Sequence, residues 1–259
     1  MTHDLLRHIA ACRNARLEAR RRLWLGAEPV GWVTAEAATE IESLAGGLSF
    51  ADAPAFEAMA AAHARAGRVR WRNEAFSVRA RPDGPELARV DRGALPYLGI
   101  WSEGVHVNGL VRRPEGSWLW VARRAADKAL DPGKLDHLVA GGVPAGLSPG
   151  ETLVKEAAEE ADIAAPLARQ SVRKGQIVYS MDRAEGLRRD RLHCYDLWLP
   201  EDFVPHPADG EVADFTLWPL AQVLTVLRET NAFKFNVALV LIDLFLRLGL
   251  IDPESAEGR

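Results

Sequence analysis

Cysteine is scarce in this chain. Its 259 residues contain two, Cys12 and Cys194, far apart in sequence. That spacing excludes a CxxC redox pair and a close metal knuckle, and it implies no disulfide framework. A reducing cytoplasmic setting is the expectation. An excess of positive charge is also missing. The formal net charge is −4, and the basic run Arg20-Arg21-Arg22 reads as the solvated end of a local element. A chain without clustered Lys and Arg is not built to grip a nucleic-acid backbone. No apolar stretch is long enough to span a bilayer. The longest, residues 237–251, is short and is interrupted by Asp243 and Arg247, so it reads as a buried helix and no membrane partner is expected. Met1-Thr2-His3-Asp4 shows no basic region followed by an apolar stretch, so no signal peptide is expected.

What is present is an ordinary globular composition, 48% hydrophobic and 26% charged, in a chain long enough for one large domain or two modest ones. Leu5, Ile9, Cys12 and Leu17 follow roughly a helical period. Residues 23–33 read as a short strand broken by Pro29 and Gly31. Thr34 reads as the N-cap of a helix over 35–44. An Ala-rich helix follows over 53–66, then a strand over 69–79, the turn Pro82-Asp83-Gly84-Pro85 and a returning strand at 86–90. Gly93 and Pro96 mark a boundary. The chain therefore divides into a small α/β N-terminal domain, residues 1–95, and a second domain, residues 96–259.

Strands dominate past that point. Val105, Val107, Gly109 and Val111 alternate with His106, Asn108 and Leu110. Further strands are expected over 117–123, 135–140, 170–182, 191–199 and 214–218, with helices over 151–161 and 220–228 and the final apolar helix. Such a mixed order implies an α/β (α+β) sandwich.

One segment carries chemistry. A loop over 141–150, rich in glycine and proline and beginning Gly141-Gly142, can bring backbone N–H groups close to an anion. It runs into a helix on which Glu156, Glu159 and Glu160 stand at i, i+3 and i+4, placing three carboxylates on one face. Their mutual repulsion is relieved by a hard divalent cation, and oxygen ligands suit Mg²⁺. Metal-assisted attack of water on phosphorus is the reaction class that follows. The alternative for the same helix is a solvated face held by pairs such as Glu151–Lys155.

This segment resembles the Nudix box, G-x5-E-x7-R-E-U-x-E-E-x-G-U with U a bulky aliphatic. Gly141 takes the first glycine, Lys155-Glu156 the Arg-Glu pair, Glu159-Glu160 the double Glu and Ile163 the final aliphatic. The resemblance implies a Nudix-type α/β/α sandwich with a mixed sheet. It also implies Glu156, Glu159 and Glu160 as ligands of Mg²⁺, or of Mn²⁺, and a small-molecule diphosphate as substrate. The sequence departs from the box at Leu147 for Glu, Lys155 for Arg and Asp162 for Gly. Glu151, one turn before Lys155, is a candidate to replace the missing Glu–Arg pair. The strings GVHVNGLVRR, LWVARRAADKALDPGKLDHLVAGG, GLRRDRLHCYDLWLPEDFVPHPADGEV and FKFNVALVLIDLFLRLGLI resemble a Nudix subfamily with an extra N-terminal domain, in fungi fused to thiamine diphosphokinase. That resemblance implies a diphosphatase acting on thiamine diphosphate or its oxidised forms, yielding the monophosphate.

Around this core, Arg123, Arg124 and Lys128 are candidates to touch substrate phosphates. Glu211 is a candidate further ligand or general base. His137, beside Asp136, is a candidate base on a strand whose alternation would turn one of the two inward. Lys234, Asn236, Phe233 and Phe235 open the last helix and are candidates to line a pocket. Among Trp101, Trp118, Trp120 and Trp198 one is available to stack on a heteroaromatic ring. Cys194 reads as a core thiol. Other readings stay open: hydrolysis of a nucleoside diphosphate derivative such as ADP-ribose, chemistry like that of isoprenyl diphosphate isomerases, or diphosphate sensing without turnover. A homodimer is possible on this reading.

Overall fold

A computed structural model describes residues 5–128 and 130–252. Met1–Asp4, read above for a signal peptide, lie outside the described residues, as do the ends of both expected domains. In chain order the elements are α1 (Leu6–Ala11), β1 (Arg21–Leu25), β2 (Glu28–Val33), α2 (Ala35–Ala45), β3 (Ser49–Phe50), α3 (Ala53–Arg65), β4 (Ala75–Val78), β5 (Ala88–Asp91) and α4 (Leu95–Leu98). There follow β6 (Trp101–Arg113), β7 (Gly116–Arg124), β8 (Leu135–Asp136), β9 (Val139–Gly142), α5 (Pro149–Ala161), α6 (Ala165–Ala168), β10 (Val172–Arg183), β11 (Gly186–Leu199), β12 (Val212–Pro219), α7 (Leu220–Glu229) and α8 (Phe235–Arg247).

The large sheet runs β10-β11-β6-β7-β12, with β8 on β7 and β9 on β6. β11 and β6 are parallel and the remaining pairs antiparallel. Both faces are covered. Val105, Val107 and Val111 pack with Leu153, Ala157 and Ala161 of α5. Leu110, Leu119 and Val121 pack on the other side with α7 and α8. This is why β6 is buried on both faces from Gly104 to Val111, with His106 and Asn108 as buried as the valines between them. The layering is the α/β/α sandwich expected from the sequence.

A second core draws on residues from Leu23 to Ile100. It combines the small sheet β2-β1-β3 and the hairpin β4-β5 with α2 and α3. Helix α1 joins the other core instead: Leu5 packs there, and His8 contacts the Leu227 carbonyl at 3.0 Å. The expected break at Pro29 and Gly31 falls elsewhere. Both lie inside β2, and the turn sits at Gly26, whose φ of 57° suits glycine. The strand expected over 69–79 shortens to β4, because the Asp91 carboxylate takes the backbone N–H groups of Arg72 and Glu74 out of reach of a ladder. The strand expected over 135–140 is two. Its pairing passes from β7 at Asp136 to β6 at Val139. Among the described residues no helix is long and apolar enough to cross a membrane.

Two details test this packing. Arg247 of α8 reaches Asp196 on β11 with two bonds, 2.7 and 3.1 Å, and Asn108 on β6 donates to the same carboxylate at 2.8 Å. Arg247→Met leaves that buried carboxylate without its cation, and a loss of about 3 kcal/mol is expected in denaturant unfolding. An unchanged midpoint would contradict this clamp. Asp162 ends α5 with φ 54° in the left-handed region. Asp162→Gly should therefore raise stability by up to about 1 kcal/mol in the same assay.

Candidate active site

Helix α5 is started firmly. Ser148 accepts the Glu151 backbone N–H at 3.2 Å while Glu151 Oε2 accepts the Ser148 N–H at 2.8 Å, a reciprocal capping box with Pro149 at the first turn. Glu151 is thus used by the cap and does not pair with Lys155, contrary to the expectation that it replaces the missing Glu–Arg pair. Lys155 turns to Glu159 at 2.6 Å and Glu156 at 3.3 Å. The last turn of α5 holds Glu159 and Glu160 and no basic residue. Carboxylates there meet the negative end of the helix dipole, so the sequence tolerates an unfavourable arrangement that a cation would reverse.

The carboxylates reach strand β9. Gly141 and Gly142, expected in a loop, are strand residues paired with Val105 and Gly104. A β-carbon on Gly141 would overlap the carboxyl carbon of Glu156. The glycine therefore makes room for a side chain, in addition to any freedom it gives the backbone. Glu160 is buried, and its Oε2 accepts the Ala140 N–H at 2.8 Å. Glu159 is on the open side, 48% exposed. Burial first, and then the charges of Asp136, Glu156 and Glu211 against one compensating N–H from Ala140, push the Glu160 carboxyl well above its ordinary range. Burial also raises Glu156, with Lys155 opposing. Among the described residues no cationic side chain pairs with Glu160.

Beside Ala140, Gly141 and Gly142 lies a cleft of about 740 Å³, open solvent included, whose lining includes none of Glu156, Glu159 and Glu160. Its walls include Gly141 and Gly142 of β9, Glu103 and His106 of β6, Arg188, Arg189 and Asp190 of β11, Lys234 and Asn236 at the start of α8, and Phe76 and Arg92 from the first core. Lys234 and Asn236 thus line the cleft. Phe233 is a core residue, and Phe235 stacks with Tyr179, Arg183 and Arg188. Lys128 pairs with Glu211, whose charge falls on Glu160. Arg123 does not join them. It is half-exposed and lies 3.4 Å from Asp214. Arg124 is bound to Asp136 at 2.9 Å and to the Leu130 and Asp131 carbonyls, which hold the 125–134 connection.

His137 is not placed as a base. Both it and Asp136 are buried, where alternation predicted one outward, because the chain changes pairing partner between β8 and β9. His137 Nδ1 meets His106 Nδ1 at 2.9 Å, and burial pushes His137 down to about 4. His106, Asp136 and His137 have ligand atoms within 4.8 Å of one another. Arg124 and Lys234 already flank Asp136, so its charge is met without an ion. Cys194 is buried, its thiol pushed up to about 12 by burial, and it is not among the cleft residues. Trp120 is buried. Trp101, Trp118 and Trp198 carry the guanidinium groups of Arg189, Arg113 and Arg112 on their faces.

Arg92, Phe76, Glu103, Arg188, Arg189 and Asp190 went unpredicted as cleft residues. No spacing links 76 and 92 to 142. The only signal was the density of charge in 188–191.

Residues 103–238 match the family model of the NUDIX domain. Nudix hydrolase 20, chloroplastic, of Arabidopsis thaliana is 46% identical over 185 residues, 71% of this chain and 50% of that protein. Nudix hydrolase 24, chloroplastic, of the same plant is 47% identical over 184 residues, again 71% and 50%. The chain spans about half the length of these curated relatives. A crystal structure of a Deinococcus radiodurans protein aligns at 20% identity with a TM-score of 0.48, covering 65% of this chain and 97% of that one. With the family model covering more than half of its residues, and the box on β9 and α5, this chain belongs to the Nudix family.

Proposed function

We propose that the protein is a Mg²⁺-dependent hydrolase of a diphosphate linkage, with thiamine diphosphate or its oxidised forms as substrate and the monophosphate as product. The observation that carries the hydrolase reading is the pair Glu156 and Glu160. Both are packed against β9, Glu160 in the last turn of α5 and Glu156 one turn earlier, and among the described residues no cationic side chain pairs with Glu160. That donor set fits a hard divalent ion: carboxylate oxygens only, Glu160 buried and Glu156 half-buried, mutually repelling and beside the β9 residues that line the cleft. Glu156 and Glu160 would hold the ion; the neighbouring Glu159 is bonded to Lys155 and Glu211 to Lys128. Bound there, Mg²⁺ or Mn²⁺ would neutralise diphosphate oxygens and acidify a water.

The chain's own residues do the rest. Gly141 sets the depth of Glu156, Ala140 orients Glu160, and Lys155 bridges Glu156 and Glu159. Arg188 and Lys234 present positive charge to the cleft. Glu103 and Asp190 also line it, Glu103 bonded to Arg191 and His193 and Asp190 to Ser102 and Tyr179. The thiamine assignment rests on the sequence resemblance. The curated relatives are named hydrolases, which agrees with the reaction class.

The test is phosphate release with Mg²⁺ from thiamine diphosphate, oxidised thiamine diphosphate, ADP-ribose, NADH and dNTPs. Metal-dependent turnover of a thiamine compound is expected, falling at least about 100-fold in a Glu159→Gln, Glu160→Gln double variant. Turnover of ADP-ribose alone would discard the thiamine assignment. No turnover of any member would discard the hydrolase.

A pH prediction follows from Glu160. Its folded-state pKa is raised above the ordinary 4.5, so the ionised carboxylate weakens the metal-free fold at neutral pH, and protonation relieves this as pH falls. Glu160→Gln should therefore raise the metal-free Tm at pH 8, and the gain should shrink towards pH 5. Added Mg²⁺ should raise the Tm of the unaltered protein more than that of the variant. A gain that grows on acidification would contradict the sign.

A further inference from the structure

The first core meets the box directly. Ala145, in the loop leading to α5, donates its N–H to the Ala75 carbonyl of β4 at 2.8 Å. A β-carbon on Gly142 would stand 2.7 Å from Phe76 Cζ and 3.7 Å from Arg92 Cζ. The ring and the guanidinium therefore lie over the strand that seats Glu156. Arg92 is held there by its backbone. It opens the short turn Arg92–Ala94 after β5. The buried Asp91 carboxylate pins that turn by accepting the N–H groups of Arg72, Glu74 and Gly93 at 2.8, 3.1 and 2.9 Å. The Arg92 N–H itself donates to the Glu74 carbonyl at 2.8 Å. Its side chain lies 5.7 Å over the Phe76 ring and gives one bond, 2.9 Å, to Glu74. A guanidinium has five N–H donors, so donors remain for a ligand in the cleft it lines. Its charge also falls on Glu156 and Glu211, on either side of the carboxylate face.

We propose that Arg92 is a phosphate-binding residue of this cleft, gripping the diphosphate from the side opposite α5, so that the substrate is bound jointly by the two cores. Planar guanidinium donors match a phosphate edge, and a turn fixed in advance loses little entropy on binding. Phe76 backs the guanidinium and closes the wall over Gly142. This inference rests on the hydrolase reading for its substrate, but the binding of diphosphate does not require turnover.

The test uses Arg92→Ala, Arg92→Lys and Glu74→Gln in the full chain. Two readouts are taken: KM and kcat on whichever panel compound is hydrolysed, and the affinity for inorganic diphosphate by calorimetry. For Arg92→Ala, KM should rise about tenfold or more while kcat changes less, and inorganic diphosphate should weaken in parallel. Lysine should recover part of the loss. Glu74→Gln removes the ion-pair partner and keeps the guanidinium, so both readouts should stay within about twofold. If the unaltered protein hydrolyses nothing but Arg92→Ala still loses diphosphate affinity, the hydrolase reading fails and Arg92 stands. Unaltered KM and diphosphate affinity in Arg92→Ala would overturn the proposal. So would an equal loss in Glu74→Gln, which would mark Arg92 as a structural tie.

Discussion

Two glutamates one helical turn apart, packed against a strand in surroundings that disfavour their charge, are the constraint around which this structure is organised. Burial disfavours the charge of both Glu156 and Glu160, and Glu160 also lies in the last turn of α5, where the helix dipole is negative. Nearby features act on them. Gly141 has no side chain because Glu156 fills the space. Ala140 gives its N–H to Glu160 rather than to a ladder partner. The reciprocal bonds of Ser148 and Glu151 fix the start of α5 and so the rotation of its carboxylate face. An arrangement that disfavours two negative charges is suited to receiving a positive one.

The surrounding fold sets a cleft beside the β9 residues that this face packs against. β6 is covered on both sides, so it can extend β9 on one edge while α8 closes the far layer. The cleft collects charge from four sources: β6, β11, the start of α8 and the turn after β5. Paired charges hold the parts together. Arg191 spans Glu103 and the Asp83 turn, and Arg189 sits between Trp32 and Trp101, 4.0 Å from each ring centroid. These contacts tie the first core to the large sheet across the rim of the cleft. They account for Arg-rich β11, which reads from sequence only as a charged strand.

The local pattern of the fold was legible in the sequence where it depends on neighbours in the chain. Thr34 caps α2 and Asp162 ends α5, each at its expected place. The alternation in β6 marked a strand and the box marked α5, while Gly141 and Gly142 of β9 read from sequence as loop. What stayed hidden depends on contacts across the chain. Strand pairing switches between Asp136 and Val139, which buries His137. Lys155 bonds forward to Glu159 because Glu151 is held by Ser148. Arg124 is held by Asp136 and by carbonyls of the 125–134 connection, and Arg123 faces Asp214. Arg92 reaches Gly142 from fifty positions earlier, which no spacing rule encodes.

The carboxylate face of α5 is, on this reading of the fold, a divalent-cation site. The most direct measurement is electron paramagnetic resonance of Mn²⁺ titrated into the purified protein, with Mg²⁺ as competitor, compared with a Glu156→Gln, Glu160→Gln double variant. Bound Mn²⁺ is expected in the unaltered protein, displaced by Mg²⁺ and lost in a variant that keeps its fold. Bound Mn²⁺ unchanged in that folded variant would contradict it, because the ion would then be held elsewhere.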